Sequence, residues 1–181
     1  TGARPWIPLA LVGALVAALL ATRIPVLARI LADPLTPARL ALPQTMRVVG
    51  GTFLLVMALG ALPPVFAVPA GLGDIAIGIA APFVARRLRD GTAGGGAVWF
   101  NVLGILDLVV AVTLGVVAGL GPAGLLEVTP STELVGVLPL VLIPTAAVPL
   151  ALALHVVSLA KLRRPAPAAA RRHDYGPCRS R

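Results

Sequence analysis

Hydrophobic residues fall along this chain in long unbroken runs instead of alternating with polar ones. The longest, Leu134 to Leu162, reads LVGVLPLVLIPTAAVPLALALHVVSLAKL: 29 residues without an acidic group and, before Lys161, with no ionisable side chain except His155. About 20 apolar residues suffice to cross a bilayer as a helix. Four further runs, at about 6–23, 47–62, 74–88 and 98–117, end in bases or in glycine and proline, and with 134–160 they predict an all-α, polytopic transmembrane helical bundle of five spans. This domain covers residues 1–164, and the proline-, alanine- and arginine-rich remainder, 165–181, has no apolar stock for a core and is expected to be a disordered cytoplasmic tail.

The connections carry their own pattern. Val26, Leu27, Ile30 and Leu31 form a stripe, which predicts a short helix lying on the membrane and ended by Asp33-Pro34, with Pro37 and Pro43 keeping the chain beyond it irregular. Pro63-Pro64 closes the second span, and VFAVPAGLG after it reads as a loop dipping into the outer interface or a broken continuation of that span. Asp74 then stands where an N-cap of the third span belongs. DGTAGGG at 90–96 is a turn; no Lys-Ser/Thr follows it, so it is not a phosphate-binding loop. A loop is expected from Gly119 to Thr129, after which Ser131 or Thr132 caps the fifth span and Glu133 faces the positive end of its dipole.

Composition agrees with this pattern: 58% of residues are hydrophobic, only 12% are charged, and the mean hydropathy is +0.97. Soluble domains carry about 25% charged residues, too many for this chain to cover a wet surface as they do. The net charge of +8 does not point to nucleic acid, because the bases flank apolar runs and set topology. With five spans, fourteen of the fifteen bases fall on one side and Arg4 on the other, which predicts the N-terminus outside and the C-terminus in the cytoplasm. Arg4 alone precedes the first apolar run while Arg23 and Arg29 follow it, so a retained span is expected there and not a cleaved signal. The lone cysteine, Cys178, gives neither a disulfide framework nor a thiolate metal cluster. Gly71, Asp74, Gly78, Ala81 and Ala85 on the third span, and Gly104, Ala111 and Gly115 on the fourth, make smooth faces for close helix packing.

Few polar groups remain at membrane depth, and they are the candidate chemistry. Asp107, at the centre of the fourth span, is the sharpest, since an uncompensated charge there costs about 2.5–3.5 kcal/mol even on the lenient insertion scale. It is either a proton or cation relay or a structural group, hydrogen-bonded to a carbonyl freed by the prolines Pro139, Pro144 and Pro149 that break the fifth span, Leu140 and Thr145 being the carbonyls exposed. His155, Asn101 and Arg47 share an inner depth and form a cluster if their helices meet. Asp74, Asp107 and His155, at outer, middle and inner depth, suggest successive points on a path. A single histidine also admits haem ligation, with Met46 or Met57 as a second axial ligand, or a purely structural hydrogen bond to a backbone carbonyl.

The segments PAGLGDIAIGIAAPFVA, NVLGILDLVVAVTLG and PLVLIPTAAVPLALALHVVSLAKL together resemble a family of uncharacterised bacterial multi-span inner-membrane proteins, a likeness running from Met46 onward. It implies a setting in the bacterial cytoplasmic membrane and no chemistry. No metalloprotease, rhomboid-like or paired-aspartate protease signature is visible, and no metal site is expected. Three functions stay open. The first is a small transporter or proton- or cation-coupled component relaying through Asp107, which for lack of an internal repeat would work as a homo-oligomer. The others are a membrane scaffold or accessory subunit whose partners are lipids or another membrane protein, and a haem- or lipid-binding redox or enzyme subunit using His155.

Overall fold

The structure, a computed structural model, describes residues 6–120 and 128–163. Arg4, Glu127, Cys178, the greater part of the expected 119–129 loop and the whole 165–181 tail lie outside the described residues. Among the described residues the regular structure is helical: α1 (Trp6–Ala21), α2 (Pro25–Ala32), α3 (Thr36–Ala41), α4 (Thr52–Ala58), α5 (Pro64–Arg89), α6 (Gly96–Gly115) and α7 (Val148–Leu162), with 3₁₀ and π segments between some of them. Four stretches are long and apolar enough to cross a membrane, Thr36–Ala58, Pro64–Arg89, Gly96–Gly119 and Ile143–Leu162; α1 and α2, bent by 74° at their junction, qualify only as a pair. The protein is therefore an all-α, polytopic membrane bundle.

The helix at 25–32 is present, with Val26 and Ile30 exposed, and it stops where Asp33 turns the chain. Asp33 Oδ1 accepts the Leu35 N–H at 2.7 Å and Oδ2 accepts from Arg39 at 2.7 Å, an exposed ion pair across the turn. Beyond it the expected irregular stretch is helical. Pro37 sits in the first turn of α3, where a missing N–H removes no bond, and Pro43 stands where α3 passes directly into the 3₁₀ run Leu42–Gly51.

That 3₁₀ run is ten residues long, against the usual three or four. At three residues per turn, positions three apart stand in a line, and the buried residues of this segment are Gln44, Arg47 and Gly50. An α-helix would rotate each of them away from the last. The tighter winding thus keeps one polar edge aimed into the bundle while Met46 and Val49 stay exposed.

The stretch 64–73 is neither a loop nor a continuation of the preceding span, and Asp74 is not an N-cap. The chain breaks instead at Gly60, whose φ of 74° suits a residue without a Cβ, and α5 starts at Pro64. The Pro63 carbonyl accepts the first-turn N–H groups of Phe66 and Ala67. Interior Pro69 costs the helix about 3 kcal/mol. Close packing of Phe66, Ala67 and Ala70 works against that cost, with Phe66 meeting Phe53 edge-on at 5.1 Å. Asp74 is thereby carried ten residues into a 26-residue helix.

The fifth apolar run is not a span broken in its middle. Ser131 caps a short 3₁₀ turn, Thr132–Gly136, by accepting the Glu133 N–H, and buried Thr132 donates to the Gly115 carbonyl at 2.8 Å, pinning that turn to the end of α6. Turns follow to Leu142, then a π turn, Ile143–Ala147, and regular α-helix begins at Val148. Pro144 and Pro149 stand in the first turns of the π segment and of α7. The Leu140 carbonyl expected to lack a donor accepts from Ile143 N–H at 3.0 Å.

Two apolar clusters form the core. One, at the end where α4 meets α5, gathers Ile7, Phe53, Leu62, Phe66, Ala70, Val135 and Val141; the other, toward the turn between α5 and α6, gathers Ala41, Ile77, Ala81, Ala85 and Phe100. Along α5, Asp74 stands one turn after Ala70 and one before Ile77, so a polar layer lies between the two clusters.

Candidate functional site

Arg47, Asp74, Asp107, Asn101 and His155 come together in that layer from four elements. Arg47 projects from the 3₁₀ segment with a side chain 7% exposed. Its Nε donates to Asp74 Oδ1 at 2.7 Å, and its Nη2 donates to Asp107 Oδ2. Nη1 faces the Gly104 carbonyl and His155 Nε2, both at 3.4 Å. One guanidinium therefore bridges two carboxylates, which are themselves 15% and 16% exposed. Asp74, Asp107 and His155 are thus members of one cluster around Arg47, and Asp107 is bonded to that guanidinium in place of a carbonyl of the proline-broken run.

The hydrogen bonds around His155 set its tautomer. Asn101 Nδ2 donates to the Ala97 carbonyl at 2.8 Å, which turns Oδ1 toward His155 Nδ1 at 3.0 Å. An amide oxygen only accepts, so Nδ1 carries the proton; Nε2, facing a guanidinium that only donates, presents its lone pair. The ring is neutral and 1% exposed, with Phe100 packed against it at 5.3 Å between centroids. Its partners are a side-chain amide and an arginine, in place of the backbone carbonyl expected of a structural histidine. Haem ligation needs a free ring nitrogen, and both are engaged. The proposed second ligands do not converge either: Met46 is 71% exposed, and Met57 packs against the Phe53 cluster. Among the described residues, no group of three or more His, Cys, Asp or Glu side chains is placed to hold a metal ion.

Glycines make the site possible. A Cβ at Gly50 would overlap the Asp74 side chain, one at Gly73 would overlap Asp107, and one at Gly104 would run into the His155 ring. Each polar side chain thus lies on bare backbone of the helix it crosses, which lets the helices approach closely enough for one arginine to reach all of them. The smooth face expected on α6 correctly included Gly104, but Gly73 was passed over because nothing in its spacing marks it. Gln44 was missed as well. It is 2% exposed, its Nε2 donates to the Ala151 carbonyl at 3.0 Å, and its Oε1 has no partner among the described residues. The signal for it was the three-residue step from Gln44 to Arg47 to Gly50, hidden by the proline at 43.

Asp74 also forms part of the wall of two cavities. One, of about 160 Å³, lies among α1, α4, α5 and α6 and is lined by Leu11, Phe53, Phe66 and Val112. The other, of about 370 Å³, lies between the 3₁₀ segment and α7 and includes Gln44, Arg47 and Leu154. Leu108, Ile143 and Val148 border both and, with Asp74, form the partition.

No curated protein and no solved structure matches the chain. A family profile described as "Domain of unknown function (DUF8737)" matches residues 4–163. That range takes in every described helix and every residue of the cluster, and the chain belongs to this family.

Proposed function

We propose that the protein is a small proton- or cation-coupled membrane component in which the Asp74–Arg47–Asp107 bridge is the exchanging group. The observation that carries this reading is a charge count. Two carboxylates share one guanidinium between two apolar clusters, and the other polar groups of the layer, Asn101, Gln44, neutral His155 and the Gly104 carbonyl, bring no charge. Among the described residues the layer is one positive charge short. In a low-dielectric interior such a deficit is made up by a proton on one carboxyl or by a bound cation, and the contact of Asp74 with two cavities provides places for either to arrive and leave.

The topology that goes with this reading has five spans, the bent α1–α2 pair being the first. The N-terminus is outside and the C-terminus in the cytoplasm of a bacterial inner membrane, with lipids as the immediate partners and a homo-oligomer as the working form. Arg86, Arg87, Arg89, Lys161 and Arg163 support that orientation; Arg23 and Arg29, within the bent pair, and Arg47, buried in the cluster, drop out of the topology count.

The test is reconstitution into liposomes holding a pH-sensitive dye, with a potassium–valinomycin potential imposed. Wild-type protein is expected to pass protons, alone or in exchange for the alkali cation supplied, at a rate above empty liposomes. Asp107→Asn, which leaves one carboxylate balanced by Arg47, is expected to fold and to lower that rate at least tenfold. A wild-type rate equal to that of empty liposomes sinks the proposal. A second reading, a non-transporting scaffold, draws on the glycine seats and the Thr132–Gly115 bond, which serve to fix packing; an Asp107→Asn variant that fails to accumulate would favour it.

A further inference from the structure

The larger cavity has an open side. Between the 3₁₀ segment and α7 its rim is formed by Met46, Val49 and Leu150, which are 71%, 65% and 56% exposed on the lipid-facing surface of the bundle. Its walls are otherwise apolar, and its polar groups, Gln44, Arg47 and Asp74, stand together on the protein side. We propose that this lateral cavity binds a lipophilic ammonium, an amphiphile that enters from the bilayer with its hydrocarbon between the 3₁₀ segment and α7 and its N–H groups toward Asp74.

Three observations select a cationic donor over other amphiphiles. The cluster behind the wall lacks one positive charge, so an ammonium completes it and a carboxylate or phosphate would add to the excess. All three Arg47 nitrogens already face protein acceptors, Asp74, Asp107, the Gly104 carbonyl and His155. Gln44, on the same wall, has committed its donor to Ala151 and retains an unpartnered acceptor, Oε1. The wall therefore accepts hydrogen bonds more readily than it gives them. Access from the lipid follows from the rim, since residues on that side are apolar and an amphiphile already in the bilayer reaches the opening without crossing water.

This inference rests on the charge count behind the proposed function but not on ion flux, and its test separates the two. The full chain in phosphatidylcholine nanodiscs is titrated with decylamine and, in parallel, with the neutral isostere decanol, empty nanodiscs giving the partition baseline. Decylamine is expected to bind one per chain and at least tenfold more tightly than decanol. Asp74→Asn, which neutralises the layer, is expected to abolish that preference, and Leu154→Trp, which fills the cavity away from the charges, to weaken decylamine binding at least tenfold. Should Leu154→Trp fail to fold, Val49→Trp at the rim takes its place. Equal affinity for amine and alcohol, or undiminished binding in the filled variant, overturns the inference. Proton flux, read in the liposomes, bears only on the proposed function.

Discussion

Removing the Arg47 guanidinium strands two carboxylates between apolar layers. Breaking a buried ion pair by deleting one partner typically costs about 3–5 kcal/mol, because the remaining charge is uncompensated. Arg47→Met is therefore expected to lower the melting temperature in detergent sharply. The triple change Arg47→Met, Asp74→Asn, Asp107→Asn, which removes all the charges, is expected to recover most of the loss; a triple variant no better than the single one would mean that packing, not charge, sets the cost. The glycine seats make another prediction at this scale. Gly104→Ala drives a methyl into the rigid His155 ring and is expected to destabilise by about 1–3 kcal/mol. Gly13→Ala in α1, with nothing within 4 Å of its Cβ, is the control and is expected to be neutral or slightly stabilising. Matching melts for the two would contradict the close approach at Gly104. The grouping of Arg47, Asn101 and His155 is legible from their similar depth, given that their helices meet. Asp74 was not recognisable as a partner of Arg47, because Pro63, Pro64 and Pro69 made the chain before it read as a loop.

Among the elements, the 3₁₀ segment and the run before α7 depart furthest from regular helix, and both border the site. The 3₁₀ winding serves to line up Gln44, Arg47 and Gly50, whereas the turns and π segment before Val148 leave room for the larger cavity opposite. Discontinuous helices of this kind are tolerated at membrane depth where protein or a cavity satisfies the backbone. Thr132 anchors the second of these elements, joining the turn before this run to the end of α6. Thr132→Val keeps the shape but loses the bond to the Gly115 carbonyl, and is expected to cost about 1–3 kcal/mol, read as a lower denaturation midpoint. No change would show the Gly115 carbonyl to be satisfied elsewhere. Hydropathy has no term for winding. The start of the 3₁₀ segment, around Pro43, therefore reads as irregular chain, its second half from Arg47 as the beginning of a span, and the run before α7 as the middle of a broken span.

At the scale of the molecule, orientation is the open quantity that can be read directly. In a Cys178→Ser background expressed in intact bacterial cells, Leu59→Cys at the exposed α4–α5 turn is expected to react with a membrane-impermeant maleimide. Thr92→Cys, between α5 and α6, is expected to react only after permeabilisation. The opposite pattern would invert the topology.

The sequence alone determined that this is a multi-pass helical membrane protein, where its apolar runs fall, and which polar groups are stranded among them. Those are properties of composition and order along a line, and each follows from the free energy of moving a segment from water to lipid. The tertiary structure alone decided that Arg47 holds both Asp74 and Asp107, that His155 is neutral with both nitrogens engaged, and that Asp74 faces two cavities. These depend on how each helix is rotated about its axis and how near its neighbours come. The 3₁₀ winding at 42–51 and the bare backbone at Gly50, Gly73 and Gly104 set those two quantities through contacts between residues far apart in the chain.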